Sequence, residues 1–249
     1  MLELLTQPQT YVSLLSLTLL EIVLGIDNII FISILAGKLP ESQREKARVW
    51  GLMIALLGRL VLVASIFWLI KLTQPLVVIK PWVALSAKDL IMLFGGLFLV
   101  AKSAKEIYEK VEAVPHAQET LSAKAKTTFM GVVVQIMLID LVFSVDSILT
   151  AVGLVSEVAI MIMAILVSMG VMLASAGGIG AFIERHPSIK VLALSFLLMI
   201  GTLLVAEAFH AHIPKGYVYF SLAFALAVEW LNIKANQKAL LNTAVTSGH

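Results

Sequence analysis

Seven long apolar runs divide this chain and restrict what its backbone can become. They extend approximately from Tyr11 to Ala36, Val49 to Ile70, Asp89 to Ala101 with its flanks, Phe129 to Val155, Val158 to Ile183, Val191 to Phe209, and Tyr217 to Ile233. A spanning helix takes about 20 mostly apolar residues, and inside lipid a backbone must satisfy its own hydrogen bonds, as a helix does. The expected fold is therefore all-α, a polytopic membrane bundle of about seven transmembrane helices. Composition agrees: hydrophobic residues make up 60% of the chain, charged residues 14%, and the mean hydropathy is +0.99. Ordinary soluble domains carry about 45–50% apolar and about 25% charged residues.

The third run is the weakest, because its strictly apolar part, Leu90 to Ala101, is short. Lys88, Asp89 and Lys102 at its ends must snorkel or be covered by neighbouring helices. From Lys102 to Thr128 the chain turns polar, with five lysines, four glutamates and Pro115. That stretch reads as a solvated helix extension followed by a linker rather than a regulatory loop. The N-terminus, Met1 to Thr10, carries an acid and no base, so it lacks the basic region of a signal peptide. There is no cysteine, which excludes disulfides and thiolate metal sites. Thirteen of the seventeen lysines and arginines outside the apolar spans fall on one side of the bundle. By the positive-inside rule that side is cytoplasmic, leaving the N-terminus outside and the C-terminus inside.

Two of the runs carry the same acidic motif. Leu20 to Asn28 places Glu21 six positions before Asp27, with Asn28 next; Ile139 to Ser147 places Asp140 six positions before Asp146, with Ser147 next. A charged side chain at the bilayer centre costs roughly 2.5–3.5 kcal/mol on insertion scales, so four unpaired acids oppose insertion by on the order of 10 kcal/mol. Such a burden, carried twice in matching places, implies use.

The match extends further: Gly96 to Lys102 in the third run lines up with Gly201 to Glu207 in the sixth. Runs one to three thus match runs four to six in order. An odd unit repeated once inserts upside down the second time, the inverted arrangement of many secondary transporters, whose site lies near mid-membrane between the repeats. The chain divides accordingly: 1–110 first three-helix repeat, 111–128 cytoplasmic linker, 129–214 second repeat, 215–249 seventh helix and cytoplasmic tail.

Helical geometry groups these residues. At about 100° per residue, Glu21, Gly25 and Asn28 form one stripe and Asp140, Ser144 and Ser147 another, with Asp27 and Asp146 about 120° away. Either those two aspartates face a different neighbour, or the helices loosen at Gly25 and Ser144 and all the oxygens converge. Freed carbonyls of a broken helix would then add ligands. The donor set is all oxygen, which suits Mg, Ca or Mn over Zn or Cu; a proton or sodium site would also be all oxygen. Arg59 is the only base within the apolar spans and is the charge partner they offer to one of the acids.

The remaining polar residues carry weaker signals. Glu207 and His210, with His212, are candidate outer-mouth residues, as a loading site or as hydrated interfacial groups. Glu229 reads as a hydrogen-bonding residue of the bundle ahead of a proton relay. Gly170, Ala174 and Gly178 repeat at four-residue spacing, which predicts close packing of the fifth helix. Tyr217, Tyr219 and Trp230, with Trp50, Trp68 and Trp82, read as interfacial anchors.

Leu20 to Asn28, Asp140 to Ser147, Phe94 to Leu99 and His212 to Phe220 together resemble the TerC family of bacterial integral membrane proteins, in its short form without CBS domains. That family belongs with LysE-type exporters, is named for tellurium resistance and includes manganese exporters. The resemblance implies a transporter of the bacterial cytoplasmic membrane, not an enzyme, exporting a divalent cation of the manganese type. It carries over Glu21, Asp27 and Asn28 as one half of the metal site and Asp140, Asp146 and Ser147 as the other. It implies no permanently bound cofactor, partners limited to the metal ion and the lipid bilayer with no nucleic acid, and compatibility with an oligomer. Two other classes stay open. An assembly or stress-resistance factor would need no cation. An intramembrane aspartyl protease needs a dyad sharing one proton, whereas this chain has two separated pairs and no Gly-x-Gly-Asp.

Overall fold

In the computed structural model, residues 8–80, 83–111, 128–155, 157–211 and 213–246 are described. They form a bundle of helices in the order α1 (Pro8–Ala36), α2 (Glu41–Ala64), α3 (Ile66–Lys71), α4 (Ala87–Val111), α5 (Phe129–Leu154), α6 (Val158–Arg185), α7 (Pro187–Ala208) and α8 (Lys215–Thr246). Among the described residues, six helices are long and apolar enough to cross a membrane: α1, α2, α5, α6, α7 and the Gly216–Ala235 part of α8. The seventh expected span, α4, has 25 residues, about 37 Å at helical rise, but its charged ends keep it out of that group. It packs along α7, while at its ends Lys88 pairs with Asp146 and Lys102 with Glu106. Its extension to Val111 is the helix expected past Lys102; residues 112–127 lie outside the described residues.

Local chemistry sets the helix ends. The Thr128 hydroxyl accepts from the Gly131 N–H at 3.2 Å and caps α5, satisfying one orphan donor of its first turn. Pro187 opens α7, where its missing N–H is no loss. Before α4, Ser86 and Asp89 bond reciprocally: Ser86 N–H and Oγ donate to Asp89 Oδ2 at 2.8 and 2.7 Å, and the Asp89 N–H donates to Ser86 Oγ at 3.2 Å. This is a capping box with aspartate in the acid position, and it accounts for a buried Asp89. The sequence reading did not anticipate the short antiparallel hairpin ahead of it, β1 (Pro75–Lys80) with β2 (Val83–Ser86).

Glycines let three of the helix crossings close. A Cβ at Gly96 would lie 2.7 Å from the Gly201 carbonyl oxygen, and one at Gly201 would lie 2.9 Å from that of Gly96. The backbones of α4 and α7 therefore touch. Gly25 on α1 receives Met172 of α6, and Gly51 on α2 receives Ile136 of α5. The stripe expected to pack α6 closely does not: among the described residues Gly170 and Gly178 have nothing within 4 Å of a Cβ and, with Ala174, are exposed. α6 instead turns Met172, Ala176 and Gly180 inward, a neighbouring stripe with the same spacing. The core runs through Ile32, Ile34 and Leu35 of α1, Leu52 of α2, Leu99 of α4 and Ile148 of α5. α8 packs on α7 at the periphery, through Val218 and Leu222. Glu229 there accepts from Asn232 of its own helix at 3.5 Å, so its bond is local to α8. Trp50, Trp68, Tyr217 and Trp230 are exposed, while Tyr219 is half-buried against Phe196.

Candidate metal-transport site

The two polar stripes face each other across the interior. α1 presents Glu21 and Asn28, α5 presents Asp140, Ser144 and Ser147, and all five side chains are buried. Asn28 Nδ2 donates to Asp140 Oδ1 at 2.9 Å and Ser144 Oγ donates to Asp140 Oδ2 at 3.0 Å. Ser147 lies against Glu21. Arg59, 3% exposed, reaches in from α2. Its Nε and Nη2 grip Asp140 at 3.2 and 2.7 Å, and its Nη1 reaches Glu21 Oε2 at 2.7 Å. The charge partner expected from sequence thus serves both stripe acids at once. One guanidinium against two carboxylates leaves one unit of negative charge for a cation or proton to balance.

Asp146 faces elsewhere, as its angular offset allows. Lys88 Nζ lies 3.1 Å from Asp146 Oδ1. Sequence reasoning treated Lys88 as a residue needing cover and did not pair it; its position just ahead of the shortest apolar run, where a snorkelling base has a carboxylate within reach, was the available signal. Both α1 and α5 run unbroken through Gly25 and Ser144. Loosened helices with freed carbonyl ligands are therefore absent at these positions, and for Asp146 the offset alternative is the one observed. The Asp27 side chain lies outside the described residues.

Two neighbouring cavities adjoin these groups. An open vestibule of about 770 Å³ is lined by Lys88, Asp89, Asp146, Glu207 and His210 among others. A small void of about 30 Å³, lined by Asn28, Arg59, Asp146 and Ser147, lies deeper. Leu24, Asp146 and Tyr219 line both, so Asp146 stands at the boundary. The void is the size of one water or ion. Asn28 Oδ1 is buried with no hydrogen-bond partner among the described residues, an acceptor oxygen left over at the void's wall.

Glu207 and His210 both line the vestibule; His212 lies outside the described residues. His210 Nε2 is 3.4 Å from Asp89 Oδ2. It holds this place at a cost, since its φ of 61° is left-handed. Its N–H donates to the Glu207 carbonyl and the Ala211 N–H to the Ala206 carbonyl, the helix-ending motif in which glycine usually takes that position. Among the described residues, no three His, Cys, Asp or Glu side chains form a cluster able to hold a metal ion. Among the described residues, a central cation draws on Asn28 and Ser147 beside Asp146, or displaces Arg59 from Glu21 and Asp140.

Residues 6–240 match the integral membrane protein TerC family. The chain is 51% identical over 233 residues to the UPF0053 inner membrane protein YgdQ of Escherichia coli, covering 94% of this chain and 96% of that protein. It is 47% identical to a UPF0053 protein of Haemophilus influenzae, covering 94% and 98%. It is 46% identical to the Escherichia coli UPF0053 inner membrane protein YoaE, covering 92% of this chain but 44% of that longer protein. No solved structure matches the chain.

Proposed function

Because the chain belongs to the TerC family of integral membrane proteins, we propose that it exports a divalent cation of the manganese type across the bacterial inner membrane. The observation that carries this reading is an ion-sized void behind an open vestibule, lined by Asn28 from the first motif and by Asp146 and Ser147 from the second. Hard oxygen donors line it, with Asn28 Oδ1 unsatisfied, and such donors suit manganese, magnesium or calcium. In this reading Arg59 and Lys88 are tethered cations that balance the acids when no metal is bound, and an arriving divalent ion competes with Lys88 for Asp146.

The helix pairings support an inverted repeat: α1 packs on α6 as α2 packs on α5, α4 meets α7, and the aligned residues Gly96 and Gly201 touch each other. With the N-terminus outside, the vestibule opens to the exterior. The buried run Ile29 to Ala36 of α1 then closes the way to the cytoplasm, and the arrangement corresponds to release rather than loading. Reporter fusions near Lys215 and after Lys238 test that orientation. The protein acts as a transporter and not as an enzyme.

Growth and cell-metal measurements test the reading. A strain lacking the chain should accumulate manganese and lose tolerance to it. Wild-type protein should restore both, and Asp146→Asn, at equal membrane abundance, neither. Equal manganese content with and without the chain would sink the export reading in favour of the assembly-factor class.

A further inference from the structure

A second polar cavity, of about 200 Å³, lies away from the acid cluster where α1 and α6 end and α7 begins. Its charged lining is Arg44 from α2, Lys110 from α4, Lys190 from α7, and one acid, Glu184 from α6. Glu184 is already committed: Arg44 Nη1 lies 2.9 Å from its Oε2 and Arg48 Nη1 3.9 Å from its Oε1. Among the described residues neither Lys110 nor Lys190 has a carboxylate within 4.0 Å. The cavity therefore holds positive charge in excess, gathered from three helices.

A neutral group points the same way. Ser33, 2% exposed, lines this cavity with no hydrogen-bond partner for its Oγ among the described residues. A buried hydroxyl left unpaired costs about 1–3 kcal/mol, so an acceptor supplied by a ligand would remove a standing penalty. Arg48 Nε, beside it against Gly180, is also buried and unpartnered. The first turn of α7 opens at Pro187 on the cavity wall, adding the favourable end of a helix dipole for an anion.

We propose that this cavity binds a phosphate group. Lysine, arginine and hydroxyl donors converging from several helices suit a tetrahedral oxyanion with several acceptor oxygens better than a planar carboxylate with two. The group belongs either to an acidic phospholipid or to free phosphate. Basic pockets between membrane helices on the cytoplasmic side take acidic headgroups, and this end of the bundle is the one that the lysine and arginine distribution assigns to the cytoplasm.

The test uses the full chain. Native mass spectrometry after exchange into mixed phosphatidylglycerol and phosphatidylcholine reads lipid retention, and calorimetric titration with inorganic phosphate in a neutral detergent reads the free anion. Wild-type protein should retain phosphatidylglycerol over phosphatidylcholine, or bind inorganic phosphate. Lys110→Gln/Lys190→Gln should weaken whichever binding is seen on the order of thirtyfold, the combined effect of two basic residues near an anionic group. Glu184→Gln, which removes the competing acid, should tighten it, giving an opposite sign that a fold defect would not produce. Phosphatidylglycerol preference without phosphate binding identifies the lipid as the source, and the reverse identifies the free anion. Absence of both, or binding indifferent to these variants, would overturn the proposal.

Discussion

Arg59→Met is the perturbation whose consequence the structure defines most closely. The guanidinium donates three hydrogen bonds, two to Asp140 and one to Glu21, from a position 3% exposed. Its removal leaves two buried carboxylates without their shared cation. Breaking a buried pair by deleting one partner costs about 3–5 kcal/mol, which for a chain of this size corresponds to a fall of roughly 6–20 °C in the unfolding midpoint. Methionine fills similar space, so lost packing contributes little. If unpaired charge is the cause, Arg59→Met/Asp140→Asn should recover most of the loss. Manganese should also stabilise Arg59→Met more than wild type, since a divalent ion can take the vacated position; occupancy at a hundred times the dissociation constant supplies about 2.7 kcal/mol. Thermal unfolding of detergent-purified protein across a manganese series reads all three effects. An Arg59→Met midpoint equal to wild type, or a loss that Asp140→Asn leaves untouched, would refute the reasoning.

Three further outcomes follow from local geometry. Gly96→Ala and Gly201→Ala should each destabilise by about 1–3 kcal/mol through overpacking, because each new methyl meets a backbone oxygen; Gly178→Ala, facing open space, should be neutral or stabilising, and unfolding midpoints separate the two groups. His210→Gly should stabilise by about 1 kcal/mol through relieved left-handed strain, read as a higher midpoint, while His210→Ala should not. Lys38 pairs with Glu106, but burial, then the neighbouring Lys102, with Lys190 and Lys105 adding to it, lower its pKa from 10.5 to about 8. Between those values the unfolded chain binds more protons than the folded one, so Lys38 makes stability rise with pH across that window. Lys38→Met should flatten the rise in a pH series of unfolding midpoints.

Much of this site was legible in the sequence because charge in an apolar run has few explanations. The paired motifs and Arg59 stood out against their surroundings, and the structure joins Glu21, Asn28, Asp140 and Arg59 in one network. What could not be read were directions. A helix apolar on every side gives no amphipathic face to show which side meets protein and which meets lipid, so the Gly170 to Gly178 stripe was assigned inward when its neighbour through Met172 and Gly180 holds that place. Lys88 escaped pairing because its reach to Asp146 depends on how α4 packs beside α5.

Manganese flux through purified protein in liposomes tests the central claim most directly. With a manganese-sensitive dye enclosed and reconstitution matched by protein content, wild-type protein should carry manganese across the bilayer well above protein-free liposomes. Asp146→Asn should reduce that flux to the protein-free level, because it removes the carboxylate at the boundary between vestibule and void. Wild-type flux at the protein-free level, or undiminished flux through Asp146→Asn, would contradict the account.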